Sequence, residues 1–207
     1  MKVLLLNGSP HAEGCTYTAL SEVAKALTEN GVEAEIVQIG KNPVRGCVAC
    51  GGCAGKGKCV FSDDGVNEFI EKMKGADGLV VGSPVYYASA NGTVECFLDR
   101  AFYAGGSAFV HKPAAAVASA RRAGTTATLD ELLKYFTISQ MPVVSSTYWP
   151  MVHGKTPEDV QKDEEGLQTM RNLGRNMAYL LKCMEAGKAA GILPPEAERG
   201  AWTNFIR

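Results

Sequence analysis

The stretch KVLLLNGSPHAEGCT, residues 2–16, decides the fold of this chain. Lys2 to Leu6 is a short apolar run that reads as one strand. It ends in Asn7-Gly8-Ser9-Pro10, a cluster of turn-forming residues. From Thr16 to Asn30 the apolar positions Leu20, Val23, Ala24 and Leu27 recur at spacings of three and four. That spacing predicts a helix, and Asn30-Gly31 stops it.

The same alternation repeats along the chain. Glu33 to Ile39 alternates polar and apolar residues, as a strand exposed on one face does. Gly65 to Lys74 reads as a helix with Val66, Phe69, Ile70 and Met73 on one face and Asp64 as its N-cap. Leu79 to Val81 is a third strand, followed by a helix from Gly92 to Phe102. Ala114 to Ala118 is a fourth strand, followed by a helix from Thr125 to Ser139. Val143 and Val144 mark a fifth strand, and a last helix runs from about Pro157 to Gly187. Strands and helices in strict alternation predict an α/β fold, a doubly wound parallel sheet covered on both faces. The flavodoxin-like strand order 2-1-3-4-5 suits five such units. A short Rossmann domain is the rival, but no G-x-G-x-x-G follows the first strand. We expect one domain over residues 1–187, including a cysteine-rich loop at 40–63 after strand two, and a tail over 188–207.

The 207 residues carry a formal net charge of −1, with 46% hydrophobic and 21% charged side chains. A nucleic-acid surface would bring a basic excess. No apolar run approaches the roughly 20 residues of a membrane span. The N-terminal run is too short for a signal peptide. A cytoplasmic location is therefore expected. In a reducing compartment clustered cysteines more often bind metal or do redox work than form structural disulfides.

In open α/β sheets ligands bind beyond the carboxyl ends of the strands, where strand order reverses. Here those loops follow strands one, three and four. In the first, Ser9 and Thr16 offer hydroxyls, and Gly14 allows close backbone approach. The first helical turn adds free N–H groups with roughly half a positive charge. That set suits a phosphate monoester. In the second, Tyr86 or Tyr87 can lie against a flat aromatic ring. In the third, Arg121 or Arg122 can meet a ring carbonyl or a phosphate. Gly52 to Lys58 spells G-x-x-x-x-G-K, but Cys59 follows where a phosphate-binding loop has Ser or Thr.

Four of the seven cysteines fall in CVACGGCAGKGKC, residues 47–59. Cys47, Cys50, Cys53 and Cys59 are close enough to wrap one cluster, and four Cys are the usual ligand set of [4Fe–4S]. Structural zinc also takes four Cys, more often as two separated pairs. A redox disulfide needs only two, and free thiols none. Gly51, Gly52, Gly55 and Gly57 would ease the turns, and Lys56 and Lys58 would offset cluster charge. Cys96 and Cys183 read as small core residues on helix faces. Cys15 stands at a helix N-terminus, a position that lowers a thiol pKa; it reads as a packing or phosphate contact rather than a nucleophile.

N-G-S-P-x-x-x-G at 7–14, G-S-P-V-Y at 82–86 and F-L-D-R at 97–100 resemble the NADPH-dependent FMN reductase family. The C-x2-C-x2-C-x5-C run and the closing Thr203 to Arg207 resemble its iron–sulfur flavoprotein branch. The resemblance implies a flavodoxin-like fold, non-covalent FMN, and a homodimer or homotetramer with FMN near the subunit interface. By position it implies that Ser9, His11, Gly14, Cys15 and Thr16 hold the FMN phosphate. Ser83, Pro84, Val85, Tyr86 and Tyr87 would meet the ring, with Ser119 and Arg121 completing the pocket. Many members of the wider family carry Arg where His11 stands.

The expected function is an FMN-dependent oxidoreductase. It would pass electrons from NAD(P)H as co-substrate, or from a ferredoxin-like protein, to a small acceptor such as a quinone or flavin, with an accessory iron–sulfur cluster. No general acid or base is nominated. The alternatives are a non-enzymatic flavin and iron–sulfur electron carrier, and a zinc-stabilised flavin-binding protein. Neither nucleic acid nor membrane is an expected partner.

Overall fold

Strand β1, Lys2–Asn7, has strands on both sides, and Val3 to Leu6 are fully buried. Successive strand side chains face opposite ways. Val3 and Leu5 therefore pack with Leu20 and Val23 of helix α1 (Cys15–Glu29) and with Leu173 and Met177 of helix α6 (Glu164–Ala189). Leu4 and Leu6 pack with Phe69 of α2 (Val66–Lys74), Val94 of α3 (Gly92–Gly105) and Leu129 of α4 (Thr125–Ile138). Burying each such aliphatic side chain contributes roughly 1.5–3 kcal/mol. One five-letter run thus nucleates two cores, one on each face of the sheet. The computed structural model describes residues 1–201, 203 and 205. Within the closing stretch that resembles the iron–sulfur branch, Asn204, Ile206 and Arg207 lie outside the described residues.

Strands β2 (Glu33–Gln38) and β3 (Gly78–Tyr86) pair with β1 in parallel. Strand β5 (Ala114–Ala120) continues beside β3, and β6 (Met151–His153) beside β5, both parallel. The order β2-β1-β3-β5-β6 is the flavodoxin-like order expected for five parallel strands. The chain leaves β1 toward one edge and then crosses to its other side. The reversal therefore falls between the ends of β1 and β3.

Strand β4 (Ser89–Ala90) was not expected; it folds back antiparallel on the end of β3. The fifth parallel strand is also not at Val143–Val144. Val143 makes one parallel bridge to Ala114, whereas Met151 stands opposite Ala118. More chain than β5 can match lies between these points, so residues 144–150 loop out. Ser146 and Asn176 then tie that loop to α6, through bonds to Thr169 O at 2.7 Å and Ser145 O at 2.9 Å. The last helix is divided. A short α5 (Pro157–Val160), closed by a Thr156–Asp159 capping box, precedes α6. Asp163 then caps α6, its carboxylate accepting from Gly166 N.

Two further expectations are corrected. Asp64 does not cap α2: Gly65, at φ 78°, occupies that position, and the Asp64 carboxylate pairs with Arg100 instead. Cys183 is exposed because α6 turns Leu181 into the core instead, and Cys96 is only half-buried because α3 buries Phe97 and Leu98 beside it. Among the described residues no helix is long and apolar enough to cross a membrane.

Candidate functional site

The site begins with Asn7, the last residue of β1. Its side chain is fully buried. Its Oδ1 accepts from Ser9 N at 3.1 Å, and its Nδ2 donates to Gln38 Oε1 at 2.5 Å and Ala12 O at 3.3 Å. Gln38, at the end of β2, donates in turn to Ser9 O at 2.6 Å. The first loop is thus folded around two amide side chains. Within it His11 N donates to Ser9 Oγ at 3.1 Å. No side chain caps α1 at Gly14. Its first-turn N–H groups are therefore open to an anion.

The second loop is a hairpin. Val85 pairs with Ala90 and Tyr86 with Ser89, leaving Tyr87 and Ala88 at the tip with φ of 51° and 67°. A two-residue turn of this kind favours Asn-Gly, and non-glycine residues there are strained by roughly 1–2 kcal/mol each. Tyr87 is fully exposed and Tyr86 about half so. The hairpin is held from beneath by Glu131 of α4. Its carboxylate accepts from Ser89 Oγ at 2.6 Å and Ala90 N at 2.9 Å. Gly124, at φ 96°, lies so close that a Cβ would sit 2.5 Å from Ala88 Cα. Behind the tip, buried Ser83 accepts from Asn91 N at 3.0 Å, and Asn91 donates to Gly8 O at 3.3 Å. Pro84 and Val85 are half-buried.

The third loop joins the first directly. The hydroxyls of Thr16 and Ser119, both buried, share a hydrogen bond of 2.8 Å. Gly8 N donates to Gly82 O at 2.8 Å, and a Cβ on Gly8 would meet Val94 Cγ2 at 2.0 Å. The structure therefore brings Ser9, Gly14, Thr16, Ser83 and Ser119 together at the strand-order reversal. Arg121 and Arg122 are exposed and form no ion pair among the described residues. His11 is exposed on the rim of a hollow of about 560 Å³ that Gly14, Cys15, Lys41 and Lys155 also line. Lys41 and Lys155 are cations at this loop that the sequence reading passed over.

Cys15 departs from expectation. Its Sγ lies 3.7 Å from Gly154 O, and burial pushes its thiol up from the ordinary value, with Asp159 and Glu158 adding to the shift. Here burial outweighs the helix terminus. Burial also pushes Glu95 up, with Glu131 the next contributor, while the bonds from Ser89 and Ala90 hold Glu131 down. His153 ends β6 in the open, its backbone N donating to Asp163 at 2.6 Å. Trp149 is exposed and packs edge-on against Tyr148, and both line a hollow that Thr126 of α4 also borders.

The four clustered cysteines line a second, separate pocket of about 220 Å³ with Arg100 and Tyr103. No residue of the three loops above lines it. Residues 40–63 contain no helix or strand, as expected. Ala49, Gly51, Gly55 and Gly57 all take positive φ, so the run is a series of tight turns. Gly52 is fixed by contact: a Cβ there would meet Val60 Cγ1 at 2.6 Å. All four thiols are free; Cys47 and Cys50 are exposed, Cys53 and Cys59 half-buried. Among the described residues no three Cys, His, Asp or Glu side chains gather round a single ion. A lone Zn²⁺ needs four sulfurs at about 2.3 Å from one point. A four-iron cluster gives each thiolate its own iron, so the ligands stand further apart. Four free thiols lining one pocket supply the donor set that either a structural Zn²⁺ or a four-iron cluster takes.

Beneath the pocket lies Arg100, whose side chain is 1% exposed. Its Nε donates to Cys59 Sγ at 3.4 Å, and its terminal nitrogens to Arg45 O at 3.3 Å, Phe61 O at 3.0 Å and the Asp64 carboxylate. Asn67 of α2 clamps the same turn, accepting from Cys59 N at 2.7 Å and donating to Cys59 O at 2.9 Å. Phe69 and Phe97, edge to face at 5.3 Å, fix α2 against α3 below. Arg100 had a visible signal in F-L-D-R, but nothing in the sequence tied it to the cysteines.

The sequence pattern of the NADPH-dependent FMN reductase family matches residues 1–156. An iron–sulfur flavoprotein of Methanocaldococcus jannaschii is 34% identical over 194 residues, covering 89% of this chain and 100% of that one. An iron–sulfur flavoprotein of Methanosarcina thermophila is 29% identical, covering 91% of this chain and 99% of that one. Among solved structures, the NAD(P)H:(acceptor) oxidoreductase FerB of Paracoccus denitrificans superposes with a TM-score of 0.62 at 16% identity, covering 88% of this chain and 97% of that one. That last likeness concerns the fold alone. With 156 of 207 residues matched by the family pattern, the chain belongs to the NADPH-dependent FMN reductase family.

Proposed function

We propose that the protein is an FMN-dependent oxidoreductase with a [4Fe–4S] cluster as a second redox centre. It takes electrons from NAD(P)H or a ferredoxin-like donor and delivers them to a small acceptor such as a quinone or free flavin. The observation that carries the reading is the pairing of two sites in one chain. Three loops are bonded together at the strand-order reversal, and four free thiols surround one pocket nearby in the chain. The family match and the names of the two iron–sulfur flavoproteins support it.

Bound FMN would supply both paired and single electron exchange. The chain's own residues bind and orient it. The open first turn of α1, with Ser9 and Thr16, holds the phosphate. The exposed faces of Tyr86 and Tyr87 cover the ring and keep water from it. Arg121 reaches the ring edge. We assign no side chain of the site as an acid or base. Cys47, Cys50, Cys53 and Cys59 would hold the cluster, which would supply single-electron exchange. The working unit is a homodimer or homotetramer, with the flavin at the interface. The exposure of Cys47 and Cys50 favours a second reading, a carrier that exchanges electrons only with protein partners.

The test is anaerobic purification with iron, acid-labile sulfide, zinc and flavin counted per chain. The reading expects about four irons and four sulfides beside one FMN. Cys50→Ala should empty the pocket of iron and leave the flavin count unchanged. Flavin without iron would remove the cluster, and zinc in its place would make the pocket structural. Steady NADPH or NADH consumption with a quinone separates the enzyme from the carrier, which only reduced ferredoxin would reduce.

A further inference from the structure

We propose that Arg100 is a positioning residue for the thiol pocket: its Nε–H bond to the Cys59 sulfur raises the reduction potential of the centre held there. The proposal rests on the cluster reading above. It deepens that reading by naming the residue of α3 that tunes the site.

A buried guanidinium is expensive unless every donor is matched, by several kcal/mol. Arg100 meets that demand almost wholly from one segment. Its partners are Arg45 O, Cys59 Sγ, Phe61 O and the Asp64 carboxylate. These lie on both sides of the cysteine run. The guanidinium is also packed on the Phe61 ring, 5.7 Å from its centroid, and Arg45 covers the same ring at 4.1 Å. Arg100 thus draws the ends of the run together over α3.

A purely structural role accounts for the carbonyl and carboxylate bonds. It does not account for the sulfur. The guanidinium is planar, and its terminal nitrogens are fixed by Asp64, Phe61 and Arg45, which leaves Nε–H aimed at Cys59 Sγ. A carbonyl would serve the fold better there, since sulfur is a weak acceptor as a thiol. As a ligand thiolate it is a strong one. Adding an electron to the centre increases the negative charge on its sulfurs. An N–H donor therefore stabilises the reduced form more than the oxidised form, and the potential rises. The Asp64 carboxylate offsets the Arg100 charge, so the effect comes from the directed bond rather than from a bare cation. Asp64 Oδ1 is itself buried with no hydrogen-bond partner among the described residues, and the carboxylate pairs with Arg100.

The experiment compares anaerobically prepared wild type with three variants. Arg100→Lys keeps a cation beside Asp64 but loses the planar fork. Arg100→Met with Asp64→Asn removes both charges together, so no lone buried carboxylate remains. Asn67→Ala loosens the same turn through the Cys59 backbone without touching the sulfur. Iron, sulfide and FMN are counted, and the midpoint potential is read by titration followed with electron paramagnetic resonance. The expected result is full iron with a more negative potential in both Arg100 variants and an unchanged potential in Asn67→Ala. Unchanged potentials in the Arg100 variants would overturn the proposal and leave the cluster reading intact. So would complete loss of iron in both, which would make Arg100 a clamp and no more. A wild type that binds no iron would overturn both, and the wild-type count alone reveals that case.

Discussion

The hydroxyls of Thr16 and Ser119 lie 2.8 Å apart, joining the first turn of α1 to the end of β5 across the middle of the sheet. The two residues are 103 positions apart in sequence. Both are buried, and among the described residues each hydroxyl bonds only the other, which leaves it capacity for a further partner. If that capacity serves a phosphate, Thr16→Val should weaken FMN binding by about fivefold, the worth of roughly 1 kcal/mol. Riboflavin, which lacks the phosphate, should bind as before. Fluorescence titration with both ligands decides; equal weakening of the two would place the pair away from the phosphate.

The hairpin tip trades stability for an exposed aromatic face. Replacing Tyr87-Ala88 by Asn-Gly relieves the strain of two positive φ angles. The variant should be more stable by about 2–4 kcal/mol in chemical unfolding. It should also bind FMN about three- to tenfold more weakly, since an aromatic contact contributes roughly 0.5–1.5 kcal/mol. A variant that gains stability with undiminished flavin affinity would deny Tyr87 its role at the ring.

Glu131 and Glu95 shift in opposite directions beneath that hairpin. The Ser89 hydroxyl and Ala90 amide hold Glu131 below the ordinary glutamate value of about 4.3. Its contribution is fully present above that ordinary value and is lost as pH falls through the lowered one. Burial raises Glu95, so its contribution is present below the ordinary value and is lost as pH rises through the raised one. Glu131→Gln should cost about 1–2 kcal/mol near neutrality and flatten the acid limb of a stability profile. Denaturant midpoints taken from neutral to acid pH test this. An acid limb as steep as the wild type's would show that other carboxylates set it.

Gly8 is required by its neighbour rather than by its own backbone. An added Cβ would lie 2.0 Å from Val94 Cγ2 and 2.7 Å from Gly82 O. Gly8→Ala should destabilise the fold by about 1–3 kcal/mol. Pairing it with Val94→Ala should recover part of the loss, but not the part set by the Gly82 carbonyl. A double-mutant cycle in thermal unfolding reads the coupling; strict additivity would refute the contact.

The layers of the fold were legible because burial writes itself into spacing. Val3 to Leu6 are apolar throughout because both faces of β1 are covered, and the α1 stripe runs at helical spacing for the same reason. The fifth strand was misplaced because Pro142-Val143-Val144 carries a stronger strand signal than Met151-Val152-His153. Only pairing with β5, a non-local effect, promotes the latter. The β3–β4 hairpin was hidden because Tyr-Ala is not a turn signature. That Cys47, Cys50, Cys53 and Cys59 share one pocket was legible from their separations. Arg100 was not, since its sulfur partner is 41 residues away and no local pattern records that distance. For Cys15 a helix terminus and burial pull in opposite directions, and only the folded chain reveals which prevails.

The thiol pocket sits in a crossover connection that the sheet itself does not need, yet it is not a free-standing cassette. In terms of inheritance, the β2–α2 connection and Arg100 form one unit. A descendant that lost the connection but kept Arg100 would bury a cation without partners, at a cost of several kcal/mol. One that lost Arg100 first would strand the Asp64 carboxylate in the same way. Transplanting this pocket onto another scaffold of the same topology therefore takes two coordinated edits, one in the connection and one about two turns into α3.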